Sequence, residues 1–99
     1  MGRALALDSS DNVATALTEL EPGEEVTVRI PESSSEIEVV SESAIPFGHK
    51  ISLESISSGD PVRKYGAVIG TASKDIPVGD HVHVHNVESQ KGRGDQNLK

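Results

Sequence analysis

The run His81-Val82-His83-Val84-His85-Asn86 sets three of the four histidines at every second residue of a segment with strand-like composition. Side chains alternate across a strand, so the three imidazoles are expected on one face and Val82 and Val84 on the other. Successive positions on one face lie roughly 6.6–6.8 Å apart, so two neighbouring imidazoles can lean onto one cation, whereas three cannot easily do so. Neutral imidazole suits zinc, iron, nickel or copper, and a His-x-His pair wants further ligands from elsewhere. His49, in Gly48-His49-Lys50, is the remaining histidine and the internal candidate. The plainer alternative is a half-buried strand whose histidines serve only as hydrogen-bond partners.

These groups must be positioned by 99 residues with one Phe, one Tyr and no Trp. That is a single domain, and its core has to be built from Val, Ile, Leu and Ala. Such a core is thin at this length, so a partner subunit or a homo-oligomer is expected. The absence of cysteine excludes disulfides and thiolate metal sites. No long apolar run follows Arg3 and no segment approaches a membrane span, so the expectation is a cytoplasmic protein with no membrane partner. A formal charge of −7, from 16 acidic against 9 basic residues, offers no basic field for a phosphate backbone, and no nucleic-acid partner is expected. The same acidic excess, with abundant Ser, would suit a salt-rich cytoplasm; an ordinary acidic surface is the simpler reading.

Arg3-Ala4-Leu5-Ala6-Leu7 reads as an opening strand. Asp8-Ser9-Ser10-Asp11 offers capping residues, and Val13, Ala16, Leu17 and Leu20 recur at i, i+3, i+4 and i+7, which predicts one short N-terminal helix ended by Glu21-Pro22-Gly23. Asp11 and Asn12 are then its capping residues. Beyond it an apolar residue, two variable residues, Gly, two variable residues and Val or Ile recur in Leu20…Gly23…Val26, Ile45…Gly48…Ile51, Ile56…Gly59…Val62 and Ile76…Gly79…Val82. A glycine held at that place suits a tight turn needing positive φ before a strand, which predicts a mostly β, turn-dense domain. Asp60 and Asp80, at equivalent positions, are turn residues and not a catalytic pair. Pro31 to Glu36 joins strand-like runs Glu25 to Ile30 and Ile37 to Val40 as an exposed hairpin connection. Gly66 and Gly70 flank Ala67-Val68-Ile69, read as a buried strand with turns at both ends, and no P-loop follows. Residues 1–87 form the domain and 88–99 a flexible tail or linker. The tail's Arg93-Gly94-Asp95 matches an integrin-recognition tripeptide, which is better taken as coincidence.

Asp11-Asn12-Val13, Gly48-His49-Lys50, Lys64-Tyr65-Gly66, Ile69-Gly70 and His81-Val82-His83-Val84-His85-Asn86, in this order, resemble the small N-terminal domain of altronate and galactarate dehydratases. The resemblance spans nearly all of Asp11 to Val87. It implies the antifreeze-protein-like SAF group, with a β-clip fold, and is shared by the separate small subunit of sulfolactate sulfo-lyase. A stand-alone small subunit or an N-terminal domain is implied, with a larger catalytic dehydratase chain as partner and a sugar acid as substrate.

Elimination of water from a sugar acid removes a weakly acidic proton beside a carboxylate and expels the neighbouring hydroxyl. A divalent metal, here iron, manganese or zinc, would hold the oxygens, while a base and an acid handle the protons. The resemblance thus makes His49, His83 and His85 the catalytic candidates and His81, His83 and His85 the metal candidates, with either His83 and His85 or His81 and His83 as the working pair. Lys50 and Lys64 are candidates for the substrate carboxylate and Asn86 for an amide hydrogen bond. Tyr65 is read as a packing residue. The competing functions are a non-catalytic module binding a metal or an acidic sugar, and a structural interaction domain.

Overall fold

The computed structural model describes residues 1–89. Among these residues nine strands form two sheets. The first has six, β1 (Gly2–Leu5), β2 (Val13–Ala16), β3 (Glu25–Ile30), β4 (Ser35–Val40), β5 (Lys50–Ser52) and β8 (His81–Val82), in the order β4-β3-β1-β2-β5-β8. The second contains β6 (Pro61–Lys64), β7 (Ala67–Ala72) and β9 (Val87–Ser89), with β7 central. Only β1 and β3 run parallel; every other pairing is antiparallel.

The four glycine units are the frame. Each opens with a four-residue turn, Glu21–Glu24, Pro46–His49, Ser57–Asp60 or Pro77–Asp80, in which the last N–H donates to the first carbonyl at 2.9–3.2 Å. Gly23, Gly48, Gly59 and Gly79 lie third in these turns with φ of +85°, +86°, +92° and +87°, as a type II turn demands of that position. All eight flanking anchors are buried. Leu20 exchanges backbone bonds with Ile45, and Ile56 with Ile76, so the units associate in two pairs. Leu20, Val26, Ile45 and Ile51 belong to one core cluster; Ile56, Val62, Ile76 and Val82 belong to the other.

The predicted helix is absent, and among the described residues the sole helical element is a 3-10 turn at Pro31–Ser33. Val13–Ala16 is instead a central strand between β1 and β5. Ala14 and Ala16 enter the first core and Val13 the second, so apolar residues occupy both faces and the period-2 signal disappears. Leu17, needed inward by the helical reading, is 41% exposed. Asp11 and Asn12 therefore cap nothing. Both are buried and hold β6 and β7: the Asp11 carboxylate accepts the N–H groups of Tyr65 and Gly66 at 2.9 and 2.8 Å, while Asn12 receives Arg63 N–H and donates to the Pro61 carbonyl.

Tyr65 and Gly66 form the two-residue turn between β6 and β7, with φ of +58° and +75°. Positive φ at both positions is the type I′ hairpin turn, and a tyrosine there costs about 1–2 kcal/mol. The buried Asp11 carboxylate offsets that cost. Tyr65 is no packing residue: it is 58% exposed, with the Lys64 ammonium 4.8 Å from its ring centroid. Ala67 and Val68 are likewise exposed, which corrects the buried-strand reading. Gly70 lies inside β7, where a Cβ would meet the Glu88 carbonyl of β9. The predicted hairpin is present but its connection is shorter than Pro31 to Glu36, since Ser35 and Glu36 already belong to β4 and pair with Ile30 and Arg29. The linker expected over 88–99 does not begin at 88, because Glu88 and Ser89 belong to β9; from residue 90 on, with the Arg-Gly-Asp tripeptide, it lies outside the described residues.

Gly59 and Gly79 share a conformation but not a setting. A Cβ at Gly59 meets nothing within 4 Å, whereas at Gly79 it would overlap the Val40 carbonyl oxygen. Gly59→Ala should therefore cost about 1–2 kcal/mol, the left-handed backbone alone, and Gly79→Ala clearly more. Urea denaturation of the two variants measures the difference; equal losses would contradict the close approach at Gly79.

Candidate functional site

Strands β5 and β8 arise from two units that share the pattern Ile-Pro-x-Gly, Ile45-Pro46-Phe47-Gly48-His49-Lys50-Ile51 and Ile76-Pro77-Val78-Gly79-Asp80-His81-Val82. They pair antiparallel, Lys50 with Val82 and Ile51 with His81. One step further this register sets His49 opposite His83, and their rings stack with centroids 4.1 Å apart. His49 Nδ1 lies 2.9 Å from His81 Nε2, so with no cation between them one nitrogen donates and the other accepts.

His49, His81 and His83 thus converge, each half-buried, with one ligand nitrogen apiece and all three within 4.8 Å of one another. Two nitrogens bound to one cation at about 2.0–2.1 Å lie roughly 2.9–3.4 Å apart, which the His49–His81 pair meets already. The donor set, three imidazoles without thiolate or carboxylate, fits a borderline divalent cation and leaves further coordination positions for oxygen ligands. His85 is not one of the three converging residues and is exposed, although its ring lies beside that of His81, with centroids 5.0 Å apart.

The expected straight run of histidines is not what brings them together. β8 ends at Val82, and His83 to Asn86 form a turn closed by the Asn86 N–H and the His83 carbonyl at 3.1 Å. Val82 is buried as expected, but Val84 is turned out to 82% exposure, so no valine row backs the imidazoles. Asn86 does not present its amide to solvent. It is 2% exposed, its Oδ1 accepts the His83 N–H at 2.9 Å and its Nδ2 donates to the His81 carbonyl at 2.8 Å. Sequence reasoning missed a further contributor, Ser43, whose hydroxyl donates to Asp80 and accepts the His81 N–H; nothing in the local pattern around Ser43 marks it.

Lys50 lies on β5 and lines a pocket of ≈ 150 Å³ with Ile69, His83, Val84, Val87 and Ser89, at the seam of the two sheets. Burial, and then the positive charge of Lys64, hold its ammonium below the ordinary lysine range. Both lysines are therefore on this side of the molecule, and neither has an acidic partner within salt-bridge distance among the described residues. A wider depression of ≈ 610 Å³ lies across Val84, bordered by Ser58, Thr71 and Ser73, and has no imidazole or lysine in its wall.

Burial is the main cause that lowers the His81 and His83 pKa values, reinforced for His81 by His85, His49 and His83 and for His83 by His49, Lys50 and His85. Neutral imidazoles, with lone pairs available to a cation, are the result. In the unfolded chain both take up protons at the ordinary value near 6.5, and in the folded chain only at lower pH. Stability contributed by this difference is full above about pH 6.5 and is lost as pH falls through that value toward the folded pKa values. Thermal melts of the metal-free chain between pH 8 and 5 should show the loss, and His81→Ala/His83→Ala should flatten it.

A family model described as the altronate/galactarate dehydratase SAF domain matches residues 2–90. Altronate dehydratase of Bacillus subtilis is 41% identical over 85 residues, which cover 86% of this chain and 16% of the relative. Altronate dehydratase of Escherichia coli K12 is 38% identical over 92 residues, 93% of this chain and 17% of the relative. The (2R)-sulfolactate sulfo-lyase subunit alpha of Chromohalobacter salexigens is 32% identical over 85 residues, 85% of this chain and 90% of that subunit. This chain thus spans about one sixth of the dehydratases and nearly all of the sulfo-lyase subunit. It belongs to the family of altronate/galactarate dehydratase SAF domains.

Proposed function

We propose that this chain is the small component of a hydro-lyase acting on a sugar acid, supplying an imidazole and lysine site that a larger catalytic chain completes. The convergence of His49, His81 and His83 is the observation that carries the reading. These three would hold a divalent cation, iron, manganese or zinc, which when bound supplies Lewis acidity toward the substrate's carboxylate and hydroxyl oxygens. Lys50 draws the substrate carboxylate into the seam pocket beside His83, and Lys64 adds positive charge from the neighbouring hairpin. His85, exposed beside His81, would exchange a proton with a substrate held there.

Two features support a larger chain as the completing partner. The three imidazoles are only half-buried, and exposed apolar side chains neighbour them along the chain: Phe47, the chain's single Phe, is 67% exposed two residues before His49, and Val84 is 82% exposed between His83 and His85. Apolar side chains displayed around a polar site suit a protein surface closing over it. The dehydratases that match are about six times longer than the matched segment.

A second reading has its own observation: near-complete coverage of the sulfo-lyase subunit alpha favours the small subunit of an enzyme eliminating sulfite, built on the same site.

Grafting this chain in place of the matching segment of Bacillus subtilis altronate dehydratase tests the first reading. The chimera should dehydrate altronate, and His83→Ala within it should lower kcat by about 10²-fold or more. Unchanged turnover would remove the imidazoles from the mechanism, and an inert chimera alongside sulfite release with the partner subunit of the Chromohalobacter salexigens enzyme would select the second. The isolated chain should show little activity toward either substrate.

A further inference from the structure

We infer that Asn86 is the positioning residue of the imidazole site, holding His81 and His83 on a common side without touching cation or substrate; this rests on the metal-holding reading above. The geometry is closed on every side. Strand pairing stops at Val82, so no ladder hydrogen bond of β8 holds the His83 backbone in the position the register offers it opposite His49. The Asn86 carboxamide takes over: Oδ1 accepts the His83 N–H and Nδ2 donates to the His81 carbonyl, at 2.9 and 2.8 Å. The amide orientation is unambiguous, because the reverse would set donor against donor and acceptor against acceptor. Asn86 is itself anchored, its N–H to the His83 carbonyl and its carbonyl to the Ser73 N–H at 2.9 Å beyond the end of β7. From the other flank the His81 N–H is held by Asp80 Oδ1 and Ser43 Oγ. At 2% exposure Asn86 has no surface to offer a ligand.

Asn suits this position because one short, neutral side chain carries a donor and an acceptor. Asp lacks the donor, and Ser is too short to span both groups. Removing the amide frees the His83 backbone and leaves a buried carbonyl and N–H without partners. The His81 and His83 rings then lose their shared orientation, and cation affinity falls by the 10- to 100-fold typical of lost supporting contacts.

The full chain is titrated with cobalt(II), followed by its visible absorption, as wild type, Asn86→Ala, Asn86→Ser and Gly59→Ala. The expected result is cobalt affinity 10- to 100-fold weaker in both Asn86 variants and unchanged in Gly59→Ala, which loses stability through a turn that makes no hydrogen bond to Asn86 or to an imidazole. Either Asn86 variant folding and binding cobalt as tightly as wild type overturns the inference, and the serine variant decides if the alanine variant does not fold. A wild-type chain that binds no cobalt ends the metal-holding reading instead. The positional claim is then decided by nuclear Overhauser contacts between the His83 and His49 rings, which Asn86→Ala should abolish; their persistence would overturn it.

Discussion

The backbone pairing of Lys50 and Ile51 with Val82 and His81 unites histidines more than thirty residues apart, and the site exists only through it. The pairing is short, so its register is held from outside. Gly48 donates to the Ala16 carbonyl and Gly79 to the Ser52 carbonyl, which ties each turn to a strand already in the sheet. A shift of β8 by one residue would send His81 and His83 to the opposite face and bring Val82 in their place. The hydrophobic anchors oppose that shift, because Ile51 and Val82 are fully buried in two different cores.

The core is thin, as the composition requires, yet polar groups compensate for its lack of bulk. Among the described residues, no buried side-chain nitrogen or oxygen lacks a partner. Asp11, Asn12, Ser52 and Asn86 each bind backbone groups of a different strand or turn. A small β domain with few aromatics can thereby position irregular segments that apolar packing alone would leave loose. No helix among the described residues is long and apolar enough to cross a membrane.

Much of this architecture was legible because its determinants are local. The glycine units announced their turns, since only a residue without Cβ enters positive φ at little cost, and the β3–β4 hairpin showed its polar break between two strand-like runs. The strand at Val13–Ala16 was hidden because a chain segment with one face in each core has no alternation to read. The site was legible in its residue types but not in its geometry. His-x-His-x-His suggested one continuous strand, whereas the chain turns at His83–Asn86 and the cross-strand partner His49 arrives by pairing across thirty residues. Asn86 looked like a ligand-facing amide because sequence shows polarity and not burial.

His49 and Asp80 occupy the same place in their turns, as do Glu24 and Asp60 in the other two. The polypeptide scaffold therefore offers four equivalent sockets immediately after a left-handed glycine, and only one of them has acquired an imidazole. Decoration and architecture act together: the side chain after a glycine gains further imidazoles beside it only where its strand pairs with a second copy of the same loop, so duplication of the unit, and not the exchange of one residue, assembles the cluster.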